Sequence, residues 1–164
     1  MIVADKAKKL IKRCKTNNPF DICNTIGIEI VYADIGSLKG MYTCIKRNRF
    51  IVINQNLNIH MKRMVCAHEL AHDQLHRTVS SSSWIKDSDL YLSDTKREYE
   101  ANIFVAELLV DESSLIELIH QKKSINEIAK ILFVDPTLVS LKVRLLIEKG
   151  YDYIPQDYDS KFLK

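Results

Sequence analysis

The segment His68-Glu69-Leu70-Ala71-His72 constrains this chain more than any other. It lies among the apolar residues Met64, Val65, Ala67, Leu70, Ala71 and Leu75, whose spacing predicts a helix from beyond Leu57 to His76. Two histidines and a glutamate are costly core residues on so apolar a helix unless something meets them. Residues four apart stack on a helix, so His68 and His72 project from one face and can share a metal ion. Two imidazoles at this spacing form half of a zinc site. Glu69 is offset by about 100°, off that pair yet close enough to reach a water on the metal. A general base is what that position needs. Zinc brings the pKa of a bound water to about 7, and a carboxylate that moves its proton to a leaving amine completes the hydrolysis of a peptide bond.

Two histidines and a water leave one protein ligand to find. On a regular helix His76 has turned about 80° from His68 and risen about 12 Å, so it is read as a capping or surface residue. The metzincin spacing needs glycine at 75 and histidine at 78, where this chain has Leu75 and Thr78. A carboxylate from a second helix remains. Lys96 to Val110 is strongly helical and offers Glu98, Glu100 and Glu107. Glu98 precedes Ala101 and Val105 at helical spacing and shares their apolar side, whereas Glu100 stacks with Phe104 and Glu107 on a neighbouring face. Glu98 is favoured, with Glu100 the runner-up.

Around these two helices the chain mixes structure types. Val3 to Cys14 is an amphipathic helix closed by the breaker cluster Thr16, Asn17, Asn18, Pro19. Segments beginning at Ile28, Met41 and Phe50, rich in β-branched and aromatic residues, predict three short strands in an antiparallel meander. The segment from Arg77 to about Asp94, with Ser80 to Ser83 and three aspartates, reads as a surface loop or mobile flap and is expected to gate substrate entry. The fold class is therefore α+β: a mainly helical zincin-like domain with a small three-stranded antiparallel sheet and a C-terminal helical segment. Residues 1–120 are expected to form the zinc metallopeptidase domain and 121–164 the helical segment.

AHELAHDQLH, followed about 30 residues later by EYEANIFVAELLV, resembles the ImmA/IrrE-type zinc metallopeptidases, with their HELxHxxxH pattern and a helix of the form ExxANxFAAELL. The resemblance runs from Ile28 to Val110 and takes in Gly40-Met41-Tyr42. Ala71 stands where the family often has glycine, and Val110-Asp111 where it usually has Met-Pro; neither is a predicted ligand. The resemblance implies Zn2+ held by His68, His72 and Glu98, with Glu69 as catalytic base. It further implies a cytoplasmic, site-directed protease of a mobile element or stress response that cleaves or inactivates a helix-turn-helix transcriptional repressor. A metal-stabilised, non-catalytic module that acts on a repressor by association is the alternative.

The remaining observations exclude other classes. A net charge of +3 names no partner, and the lysines of the first helix read as a solvated face. Ile125 to Leu146 has a helix-turn-helix pattern, but its second helix offers only Lys142 and Arg144, too few cations for a phosphate-contacting face. Direct nucleic-acid binding is not expected, and a packed helical pair is. No apolar run approaches the roughly 20 residues of a membrane span, and the first residues lack a signal-peptide run, so a cytoplasmic location is expected. Cys14, Cys23, Cys44 and Cys66 are widely spaced, as befits reduced thiols.

Overall fold

The computed structural model describes residues 2–76, 82–86 as backbone, and 96–151. The chain divides into two compact units, residues 1–109 and 110–164. That division falls after Leu109, ahead of the functional boundary at 120 expected from the sequence.

The first unit opens with α1 (Ile2–Cys14), which buries Ala4, Ala7 and Leu10 and leaves its lysines outside. Helix α2 (Pro19–Thr25) starts at Asn18, whose side chain accepts a hydrogen bond from the Phe20 amide, with Pro19 in the first helical position where its missing N–H costs nothing. Strands β1 (Ile28–Ala33), β2 (Leu38–Ile45) and β3 (Asn48–Asn54) follow. β2 and β3 form an antiparallel hairpin turned by Lys46 and Arg47, both with positive φ as a two-residue turn of this hand requires.

The antiparallel meander is corrected at β1. This strand pairs with β3 in parallel, Ile30 opposite Ile51, so the sheet is mixed. β3 lies between β1 and β2, and the Asn54 side chain at its end donates to the carbonyls of Gly36 and Leu38 in the link that carries the chain past it. A fourth strand, β4 (Ser82–Lys86), pairs antiparallel with β2 and completes the order β1-β3-β2-β4. It occupies part of the segment read as a surface loop; the serines around Trp84 and Ile85 had masked a strand whose hydrogen bonds come from β2. The rest of that expected gate, residues 77–81 and 87–95, lies outside the described residues.

Helix α3 (Ile59–His76) begins with the Asn58 side chain accepting from the Met61 amide. It packs on β2, β3, α2 and α4 (Lys96–Leu109). From Met64 to Asp73 every residue of α3 is buried, because the sheet, α2 and α4 cover it on several sides. A helix buried all round loses the one-sided pattern of a surface helix, and its polar residues must find partners inside.

The second unit contains α5 (Glu112–His120), α6 (Ile125–Leu132) and α7 (Pro136–Glu148). Asp111 caps α5, and Ser124 with Glu127 forms a reciprocal capping box on α6. Phe133 closes α6 in the left-handed conformation, two residues before the Asp135 cap of α7. Lys142 is buried, its Nζ 3.8 Å from Glu112 Oε2. Glu112 also meets Lys149 at 3.6 Å and accepts from the Tyr151 hydroxyl at 3.0 Å. No described helix is long and apolar enough to cross a membrane.

Candidate metal centre

α3 presents His68, Glu69 and His72 in its most buried stretch, and the first turn of α4 presents Glu98. His68 Nε2 and His72 Nε2 are 3.0 Å apart. Glu98 reaches both, Oε2 lying 3.1 Å from His68 Nε2 and Oε1 3.5 Å from His72 Nε2. His68 is fully buried, while the Glu98 side chain keeps 23% exposure, so the cluster lies at the edge of the core.

Hydrogen bonding alone serves this triangle poorly, since each neutral imidazole nitrogen offers either one N–H or one lone pair. A cation among the three meets a lone pair from each. Tetrahedral zinc, with bonds of about 2.0–2.2 Å to nitrogen and carboxylate oxygen, spaces its ligand atoms about 3.4 Å apart, close to the separations seen here. The residues present therefore fit a metal ion. Among the described residues, His68, His72 and Glu98 are the one group of three or more histidine, cysteine or acidic side chains drawn together in this way.

The surroundings favour the ligand forms. Burial pushes the His68 imidazole below its ordinary value of 6.5, against the pull of the Glu98 carboxylate, so near neutrality it carries the lone pair a metal needs. At Glu98 burial works to raise the pKa, but the hydrogen bonds of His68 and His72 prevail and hold the carboxyl well below its usual range.

Glu69 stands outside the triangle, fully buried on α3. Strand β2 comes exceptionally close here: a Cβ added at Gly40 would overlap Val65 Cγ1 and lie 3.1 Å from the Val52 carbonyl oxygen and 3.8 Å from Glu69 Cγ. Glu100, the runner-up ligand, turns instead to His76, 3.7 Å away, and to Lys96. His76, expected to be a capping or surface residue, is 8% exposed at the end of α3 and donates from Nε2 to the Arg97 carbonyl at 3.3 Å.

A peptidase family model described as the IrrE N-terminal-like domain matches residues 23–140. The chain belongs to that family. It is 34% identical over 142 residues to the uncharacterized immunity region protein 2 of Bacillus phage phi105, covering 86% of this chain and 89% of that protein. It is 31% identical over 115 residues to the metallopeptidase ImmA of Bacillus subtilis (strain 168), covering 70% of this chain and 67% of that one. The IrrE-like match takes in every residue of the triangle, all of α3 and the first half of the second unit.

Four residues support this IrrE-like site in ways the sequence did not fully announce. Gly40 did carry a signal, since a glycine inside a strand pattern marks close backbone approach. His76 is one turn beyond His72, but its partners belong to α4. Arg49, itself partly exposed, pairs with the buried Asp73 at 3.0 Å, and Arg49 also donates to the Ile26 carbonyl. This pair ties the residue after His72 to β3 and the end of α2, and nothing local in the sequence announces it.

Proposed function

We propose that this protein is a zinc endopeptidase whose metal is held by His68, His72 and Glu98 and whose general base is Glu69. The observation that carries the proposal is the convergence of two helical imidazoles and one carboxylate from a second helix, beside a buried glutamate next in sequence to the first imidazole. Bound there, zinc supplies Lewis acidity and makes a water molecule acidic enough to be deprotonated near neutrality. His68, His72 and Glu98 would hold the metal, and Glu69 would accept the proton of the attacking water and return it to the amine of the departing peptide fragment. Gly40 lets strand β2 pass close against α3 beside Glu69, because the space a Cβ would need there is already filled by Val65.

The substrate we infer is a helix-turn-helix repressor of a mobile element, cleaved or inactivated in the cytoplasm by the chain's peptidase region, residues 1–120. The inference draws on the names of the two relatives, a phage immunity region protein and the metallopeptidase ImmA, and on the motif resemblance. The C-terminal segment acts as scaffold. Lys142, one of its two candidate phosphate contacts, is buried with Glu112, and Arg144 pairs with Glu148 at 3.2 Å.

Glu69→Gln is the decisive variant, because it keeps the three ligands and removes only the base. It should bind zinc as the parent does and leave a co-incubated repressor intact. Cleavage at the parental rate would overturn the mechanism, and repressor inactivation without cleavage would mark a protein that acts by association.

A further inference from the structure

Glu98 is the most precariously placed member of the triangle. It is the third residue of α4, in the turn whose amides have no partners within the helix and where helices fray. A carboxylate has to be held within about 0.5 Å to serve as a ligand, so something outside α4 must steady that turn.

His76 is placed to do so. It ends α3, one turn beyond His72, on the stripe that carries both imidazoles of the triangle. Its Nε2 lies 3.3 Å from the carbonyl oxygen of Arg97, the residue before Glu98, and 3.7 Å from the carboxylate of Glu100, two residues after it. The two contacts bracket Glu98 along the chain. Fixing the Arg97 carbonyl fixes the peptide group that leads into Glu98, and its carboxylate then extends to His68 and His72.

We infer that His76 is a positioning residue, the clasp that holds the first turn of α4 so that Glu98 can complete the metal site. It reaches the metal only through Glu98, and the inference rests on the proposed ligand set.

The test compares the zinc dissociation constants of the full chain and its variants, by competition with a chromophoric chelator, with the melting temperatures of the metal-free proteins. His76→Ala should bind zinc 10–100-fold more weakly, as when a group orienting a metal ligand is lost. His76→Gln keeps an N–H donor of similar reach and should recover most of that affinity. In a Glu98→Ala background, His76→Ala should add almost nothing, because the two residues act through one ligand. A histidine that merely packs α3 on α4 would lower the melting temperature of the metal-free protein yet leave zinc affinity at the parental value, and that result overturns the inference. Equal zinc losses from His76→Ala with and without Glu98 would overturn it as well. If His68→Ala binds zinc as tightly as the parent, the ligand set falls and the inference with it. If His68→Ala loses zinc while His76→Ala does not, the inference alone fails.

Discussion

At the scale of single residues, the site depends on keeping lone pairs available. Protons compete with a metal for His68, and burial displaces that competition below pH 6.5. Metal should therefore stay bound at pH 7 and be released only as the pH falls below the ordinary histidine value of 6.5. The metal-free protein responds with the same sign. A histidine whose folded pKa is depressed leaves the unfolded chain binding more protons, so stability is full above the unfolded value of 6.5 and declines as the pH falls towards the folded one. Metal content after dialysis at stepped pH checks the first expectation; undiminished zinc at pH 5 would contradict it. Arg49 makes a second residue-scale prediction. Its partner Asp73 is fully buried, and removing Arg49 leaves that buried carboxylate without its cation. Arg49→Ala should cost about 3 kcal/mol, measured by urea unfolding, and should also weaken zinc binding because Asp73 adjoins His72.

At the scale of elements, the decisive contact is β2 against α3. Val65 fills the space a Cβ at position 40 would need, so Gly40→Ala forces strand and helix apart at the turn that bears Glu69. The expected penalty is about 1–3 kcal/mol, together with a fall in peptidase activity larger than the fall in zinc affinity, since the displaced residue is the proposed base. Activity and zinc binding that decline in equal proportion would argue against that picture. Helix α6 offers a quieter test. Ser124→Ala removes one side of its capping box, and about 1 kcal/mol of stability should go with it, with zinc affinity unchanged. The elements themselves were largely legible in the sequence. The helices α1, α3 and α4 follow from periodicity, and the strands β1, β2 and β3 from β-branched runs. The pairing of β1 was not legible, because alternation says which residues can form a strand and nothing about its neighbour. β4 was hidden for a related reason: a serine-rich edge strand owes its structure to the strand it joins.

At the scale of the whole molecule, the proposed ligand set couples metal binding to folding, for its members come from α3, which ends at His76, and α4, which begins at Lys96. Zinc at a thousand times its dissociation constant should stabilise the native state by about 4 kcal/mol. Thermal melts with and without chelator measure this, and curves that coincide would remove the metal from the account. The burial of Lys142 also belongs to this scale. As a letter in the sequence it was a candidate phosphate contact, and in the fold it is the buried partner of Glu112.

Helical periodicity and the four-residue spacing of His68 and His72 are local properties, set by the backbone geometry of one helix, so the sequence alone determined that two imidazoles and a neighbouring carboxylate would share a turn of α3. Its apolar setting also determined that this turn would be buried. Only the tertiary structure decided what the turn would meet. It brought Glu98 to the imidazoles and sent Glu100 to His76, set Gly40 against Val65 and Glu69, and joined Asp73 to Arg49. Each of these pairings links residues more than twenty positions apart, and the packing of helix on helix and helix on sheet, which no local pattern encodes, is what chose them.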